Sequence, residues 1–121
     1  MFTISIENAF TASHELTYAG GEKEELHQHD WQLKVAVDVE DLDENGLAVD
    51  FIDLKAKIDG ITTPLNNIPL EKHPAFEGIN ASAENVAKYI YDQLIPQLPT
   101  RAMLVSVEIM EAPGCWAKYY N

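Results

Sequence analysis

The sequence contains very little cysteine and little positive charge, and each shortage excludes a class of protein. The single cysteine among 121 residues excludes a disulfide framework and a zinc site of the Cys-x-x-Cys type. Eight Lys and Arg against 20 Asp and Glu give a net charge of −12. This charge argues against a nucleic-acid partner or an anionic membrane surface, because both are bound largely through positive side chains. A small anionic ligand would need a local positive centre, for which a metal ion is one candidate.

Long hydrophobic runs are also missing. No run approaches the roughly 20 residues of a membrane span. The first 20 residues show no basic segment followed by an apolar one, so no signal peptide is predicted and we expect a cytoplasmic protein. A hydrophobic share of 46% in 121 residues suits one domain, residues 1–121, with its own core.

Three segments alternate between apolar and polar residues and are predicted as strands, and a fourth strand is predicted at the end of the chain. In residues 2–14 the apolar side chains fall on even positions, and in residues 27–40 they fall on odd positions. The third strand is predicted over 103–110, and the last residues, 115–120, are predicted as a fourth.

Two helices are predicted between the second and third strands. The first spans 51–59 with Asp50 as its N-cap, and the second begins after Ser82 and ends before Pro96. Residues 60–80 contain three prolines and are predicted as an irregular connection. The order β-β-α-α-β-β indicates an α+β fold with two helices on one face of a four-stranded antiparallel sheet.

Three of the four histidines share the apolar side of the predicted strands. His27 and His29 are two residues apart and in phase with the apolar residues of their strand, and His14 is in phase with those of the first strand. If these strands pair, the three imidazoles converge at one end of one sheet face. Three imidazoles with an open fourth position are typical of a catalytic zinc, although other divalent metals also suit them. The alternative is that they are ordinary half-buried histidines.

The histidines belong to a series of short motifs that covers nearly the whole chain in order. These are Phe10-Thr-Ala-Ser-His14, Leu26-His-Gln-His29-Asp-Trp31, Gly46-Leu-Ala-Val-Asp50-Phe51-Ile-Asp-Leu54-Lys55, Leu65-Asn66, Asn80-Ala-Ser-Ala-Glu84-Asn85 and Glu111. The series resembles the 6-pyruvoyl-tetrahydropterin synthase family, which includes the 6-carboxy-tetrahydropterin synthases of queuosine biosynthesis.

The resemblance implies a tunnelling fold in which oligomerisation joins the sheets of three subunits into a barrel, and two such trimers stack into a hexamer. It implies Zn²⁺ as the cofactor, with His14, His27 and His29 as the ligands. It also implies that Glu111 anchors a small-molecule pterin substrate, since a carboxylate can accept two parallel hydrogen bonds from the pterin 2-amino group and ring N–H. Without the resemblance, Glu111 would be interpreted as an exposed acid at a strand end.

The chain departs from the family pattern at two places. A catalytic cysteine usually precedes the first histidine of the His-x-His motif by four residues, and here that position is Lys23. An Asp-His pair usually precedes the Leu-Asn motif, and here the ungapped match falls on Ile61 and Thr62. The usual groups for proton transfer are therefore absent from the expected positions.

Replacements for the missing base are available nearby. Some relatives carry a glutamate in place of the cysteine, so a carboxylate among Glu22, Glu24 and Glu25 is the preferred candidate. Lys23 could act as a base only with a strongly depressed pKa. Asp59 is close enough in sequence that a small gap would align it with the missing aspartate.

The resemblance and the departures leave three hypotheses. The first is a zinc-dependent lyase acting on a dihydropterin such as 7,8-dihydroneopterin triphosphate. The second is a family member that binds a pterin-like ligand or catalyses a different, aldol-type cleavage. The third is a structural metal protein without a pterin site. The missing Cys and Asp-His separate the first two, and Glu111 beside an open three-histidine site separates both from the third.

Overall fold

The computed structural model describes residues 1–121, which form one antiparallel sheet and two helices. The elements in chain order are β1 (Phe2–His14), β2 (His27–Val39), α1 (Phe51–Thr62), α2 (Ala83–Leu94), β3 (Met103–Ala112) and β4 (Cys115–Tyr119). The predicted order and the predicted strands are confirmed, with ends that differ by no more than two residues. No helix is both long enough and apolar enough to cross a membrane.

The strands lie in the sheet in their chain order, β1-β2-β3-β4, so each pairs with its sequence neighbour. β1 and β2 pair along their full lengths, from Phe2 opposite Val39 to His14 opposite His27. This register places the end of β1 and the start of β2 side by side at the same end of the sheet.

The core lies between one face of the sheet and the two helices. The odd-numbered side chains of β2 from Trp31 to Val39 are buried on this face, as their alternation predicts. Helix α2 begins with the Ser82 hydroxyl accepting a hydrogen bond from the Asn85 N–H, and it packs Val86 and Ile90 against the sheet. The opposite face of the sheet has no helix over it.

Helix α1 extends beyond the predicted end at residue 59. It runs through Gly60 to Thr62 because the apolar stripe of Leu54 and Ile58 continues to the buried Ile61. Burial of that stripe outweighs the helix-weakening effect of one glycine, which is about 1 kcal/mol. The irregular connection predicted over 60–80 therefore begins later.

The connection between the helices runs along the edge of β1 near its end. It forms three short 3-10 turns, Thr63–Leu65, Leu70–Lys72 and Pro74–Phe76. The backbone N–H of Thr11 donates to the Asn66 side chain at 2.9 Å, and that of Ser13 donates to the Ile68 carbonyl at 3.1 Å. The edge of β1 is thus covered beside His14.

Candidate metal centre

The sheet register brings four side chains together at one end of the helix-covered face. His14 at the end of β1 lies directly opposite His27, and His29 lies opposite Ala12. Glu111 comes from β3, two residues after Ile109, which pairs with Leu33 of β2. One donor atom from each of His14, His27, His29 and Glu111 lies within 4.8 Å of the others. The predicted convergence of the three imidazoles is therefore confirmed as geometry.

The hydrogen bonds of two histidines fix which ring nitrogen carries the proton. The Nδ1 atom of His14 lies 2.8 Å from the Ala81 carbonyl oxygen, and that of His27 lies 2.7 Å from the Glu25 carbonyl oxygen. A carbonyl only accepts, so both Nδ1 atoms donate, and in the neutral rings each Nε2 is left with a free electron pair. These two Nε2 atoms are only 3.0 Å apart. A cation, either a proton or a metal ion, is needed to hold them so close.

His29 strengthens the case for a metal ion over a proton. Its Nε2 atom is buried and has no hydrogen-bond partner, although the Oε1 atom of Glu111 lies 3.2 Å away. Burial lowers the pKa of His29, and the attraction of Glu111 only partly opposes this effect. His29 therefore favours the neutral form, which is the form that binds metals.

The separations between donor atoms suit a tetrahedral ion. Zinc bonds of about 2.0–2.1 Å require neighbouring donor atoms roughly 3.3–3.4 Å apart. The shortest separations here are 3.0 Å for His14 Nε2 to His27 Nε2, 3.0 Å for His14 Nε2 to Glu111 Oε1, and 3.2 Å for His29 Nε2 to Glu111 Oε1. The residues present therefore fit a divalent ion such as zinc.

The start of α2 and a buried tryptophan hold His14 in place. Asn80 ties this region to the loop after β1, because its side chain accepts from the Thr17 N–H at 2.8 Å and donates to the Thr17 carbonyl at 2.9 Å. The next carbonyl, that of Ala81, accepts the His14 Nδ1 proton. Trp31 lies edge-on to the rings of His14 and His29, with centroids 5.0 and 5.9 Å away. Such outer contacts orient metal ligands.

The family comparison agrees with this geometry. The family profile for 6-pyruvoyl tetrahydropterin synthase matches residues 3–121. The chain belongs to the 6-pyruvoyl tetrahydropterin synthase family.

Individual relatives show how widely this family varies. A dihydroneopterin monophosphate aldolase of Pyrococcus furiosus is 31% identical over 103 residues, which are 85% of this chain and 83% of that protein. The 6-pyruvoyl tetrahydropterin synthase of Caenorhabditis elegans shares the fold with a TM-score of 0.84 at 22% identity, over 99% of this chain and 95% of that chain. A Plasmodium vivax 6-pyruvoyltetrahydropterin synthase in which a catalytic glutamate is replaced by alanine has a TM-score of 0.81 at 18% identity, with 99% and 97% coverage.

The loop before His27 places one of its charged residues beside the cluster. Glu24 is partly buried, and its Oε1 atom lies 3.8 Å from His27 Nε2 and 4.0 Å from His14 Nε2. The Leu16 N–H donates to this oxygen at 3.0 Å, and the Glu24 N–H donates to the Leu16 carbonyl at 3.1 Å. Glu24 is therefore held at the rim of the cluster, farther from the histidine nitrogens than Glu111 is.

The other candidate bases of this family member lie elsewhere. Glu22, Lys23 and Glu25 are exposed, and Glu25 contributes to the cluster only through its backbone carbonyl. Asp59 lies on α1 and accepts a hydrogen bond from the Asn8 side chain at 2.7 Å. Asn8 is about 20 Å from His14 along β1, given the strand rise of roughly 3.3 Å per residue. Within one chain, Asp59 is therefore not brought to the cluster.

Two features of the site escape sequence reasoning. The family resemblance gives Glu111 only a pterin-binding role, whereas the structure places its carboxylate beside the three histidines, in a group that could hold a metal ion. The two hydrogen bonds between the Asn80 side chain and the Thr17 backbone were also not predicted, although Asn80 is the first residue of one of the motifs that carry the resemblance. The only thiol, Cys115, is exposed at the start of β4 and is not part of the cluster.

Proposed function

We propose that this chain is a metal-dependent lyase that cleaves the side chain of a dihydropterin by a retro-aldol reaction. The observation that carries the proposal is the loop carboxylate of Glu24, which lies at the rim of a three-histidine cluster that has neither a thiol nor an Asp-His pair beside it. The dihydroneopterin monophosphate aldolase similar to this chain supports the choice of reaction and favours a phosphorylated dihydroneopterin as the substrate.

The reaction requires one proton to leave an oxygen and one proton to reach a carbon. In our proposal, Glu24 accepts the proton of the hydroxyl on the second side-chain carbon. The bond between the first and second side-chain carbons then breaks, a carbonyl forms on the second, and the electron pair passes into the conjugated ring of the dihydropterin. The proton is returned to the first carbon, which gives a hydroxymethyl dihydropterin and glycolaldehyde or its phosphate. One carboxylate positioned as Glu24 is can serve both steps.

The remaining residues bind the ion and the substrate. His14, His27 and His29 would hold the metal, and Glu111 would accept hydrogen bonds from the pterin ring. A divalent ion bound there would act as a Lewis acid toward a side-chain oxygen and make its proton easier to remove. Zinc is our proposed metal, because the donor set and the separations suit it.

The second candidate is a reaction of the 6-pyruvoyl or 6-carboxy-tetrahydropterin synthase type on 7,8-dihydroneopterin triphosphate. The family profile favours it. The site favours it less, because elimination of the triphosphate with rearrangement of the side chain moves protons to and from carbon more than once. The cysteine and Asp-His pair that would assist those transfers are replaced by Lys23, Ile61 and Thr62.

The test is incubation of the zinc-loaded protein with dihydroneopterin, its monophosphate and its triphosphate, with products read by mass spectrometry. Retro-aldol cleavage yields 6-hydroxymethyl-7,8-dihydropterin and an aldehyde whose masses together equal that of the substrate. A synthase instead releases tripolyphosphate. Release of tripolyphosphate without the hydroxymethyl product would replace the first candidate by the second, and no turnover of any of the three would refute the lyase proposal.

A further inference from the structure

The position of Glu111 conflicts with a role in ligand binding alone. Its Oε1 atom lies 3.0 Å from His14 Nε2 and 3.2 Å from His29 Nε2, so it occupies the corner that a three-histidine site leaves open. We propose that Glu111 is the fourth protein ligand of the metal in the ligand-free protein and that a pterin displaces it by binding its carboxylate. The inference rests on the metal and pterin roles proposed above and adds an exchange between them.

The backbone explains why this side chain reaches the cluster. The pairing between β3 and β4 shifts at Glu111, since Met110 pairs with Trp116 and Ala112 pairs with Cys115. Glu111 is therefore the unpaired residue of a β-bulge, a feature that redirects a side chain and is frequent beside active sites. Its side chain is 29% exposed, so a ligand arriving from solvent can reach it.

Charge compensation favours binding of the Glu111 carboxylate to the metal ion. Three neutral imidazoles would leave the full charge of a divalent ion next to the completely buried His14. One carboxylate halves that charge, and this matters because an uncompensated buried charge is costly. His14 and His29 are the basic side chains within 4.0 Å of the Glu111 carboxylate, so no lysine or arginine competes for it.

The Oε1 atom of Glu111 cannot bind the metal ion and a pterin at full strength at the same time. A pterin that makes two parallel hydrogen bonds uses both carboxylate oxygens. Oε1 would then leave the ion and open one coordination position at the moment the substrate arrives. Because coupling between two ligands is reciprocal, a pterin that removes Glu111 from the ion must itself bind differently to the metal-free protein.

The test uses Co²⁺ as a visible probe and unsubstituted pterin, which has the ring but no side-chain hydroxyl that could bind the ion. Cobalt affinity is measured by competition with a chromophoric chelator, and the visible absorption of the bound ion reports its ligands. We compare the wild-type chain with E111Q, E111D and E108Q. Glu108 is the matched control, because it lies on the same strand, loses the same charge and points to the opposite face, where Lys34 and Lys118 pair with it in register.

We expect E111Q to weaken Co²⁺ binding at least about tenfold, the lower end of what the loss of metal-site support usually costs. E111D should recover part of that loss, and E108Q should match the wild type. At saturating concentration, unsubstituted pterin should change the Co²⁺ spectrum of the wild type but not that of E111Q.

Several outcomes would overturn the inference. Equal Co²⁺ affinity and equal spectra for wild type and E111Q would show that Glu111 is not a ligand, and binding of unsubstituted pterin without a spectral change would refute the exchange. These readouts do not depend on turnover. If the chain cleaves no dihydropterin but E111Q has the expected effects, the lyase proposal is refuted. The assignment of Glu111 as the fourth metal ligand is then still supported. A wild-type chain that binds no Co²⁺ would refute both.

Discussion

Replacement of Glu24 by glutamine isolates the proton-transfer step. The amide oxygen of glutamine can still accept the Leu16 N–H bond that holds the side chain at 3.0 Å, so the loop should keep its position. The change removes the basic oxygen 3.8 Å from His27 Nε2 and leaves the metal donors intact. The replacement therefore removes the proposed base and changes little else in the site.

The expected magnitude follows from this geometry. A positioned general base contributes about 10²–10⁴-fold to the rate. This range corresponds to roughly 2.7–5.4 kcal/mol of activation free energy at about 1.36 kcal/mol per tenfold change. We expect kcat of Glu24→Gln to fall by this factor while KM changes little, because Glu24 is proposed to act on the reacting hydroxyl and Glu111 to hold the ring.

The loop offers a matched control. Glu25→Gln removes the same charge one residue away, but its side chain is exposed and only its backbone carbonyl contacts His27, so kcat should stay within about twofold of the wild-type value. Both variants are assayed at saturating dihydroneopterin monophosphate after their metal content has been matched. An unchanged kcat for Glu24→Gln, or an equal loss in Glu25→Gln, would refute the assignment of the base.

Four further predictions concern the metal content, pterin binding, the oligomeric state and the hydrogen bonds of Asn80. Elemental analysis should find about one zinc per chain, and His27→Ala should lower that content sharply, because two imidazoles hold a tetrahedral ion poorly. Glu111→Ala should weaken pterin binding several-fold or more in a fluorescence titration, since a pair of charge-assisted hydrogen bonds is lost. Light scattering should give three or six times 13.5 kDa, because the sheet has one uncovered face and two edges, and a monomer at low micromolar concentration would contradict this. Asn80→Ala should reduce zinc affinity about 10–100-fold without removing a ligand, as measured by chelator competition, because it frees Thr17 and loosens the carbonyl that orients His14.

The strand faces and the three-histidine convergence could be predicted from sequence because they depend on a period of two. Once β1 and β2 pair, the parity of His14, His27 and His29 fixes the face from which they project. The second helix was predictable for a different reason, because Ser82 is an N-cap residue that marks its start. The end of α1 was not predictable in this way, because the proline-containing segment 60–80 was predicted as irregular and the burial of Ile61 was given no weight.

The choice of Glu24 as the proposed base could not be made from sequence alone. Glu22, Lys23, Glu24 and Glu25 are consecutive charged residues, and no periodicity separates them. The structure separates them through a bridge between Thr17 and Lys23 that folds the loop back on itself and places the Glu24 N–H against the Leu16 carbonyl. These contacts join residues of a loop without a repeating pattern, so only the folded chain reveals them.

The two carboxylates of the site lie at different distances from His14 Nε2, 3.0 Å for Glu111 and 4.0 Å for Glu24, and our proposal assigns their roles by this difference. Glu111 approaches imidazole nitrogens to 3.0 and 3.2 Å from a bulge in a strand, whereas Glu24 stays at 3.8 and 4.0 Å on a loop held by its neighbours. The nearer carboxylate can bind the ion directly, and its electron pair is then less available to take a proton. In our proposal the farther one keeps a free electron pair that accepts the proton of the substrate hydroxyl. A site without a cysteine or an Asp-His pair can therefore still divide binding and proton transfer between two glutamates, which is sufficient for a reaction that takes one proton from oxygen and returns one to carbon.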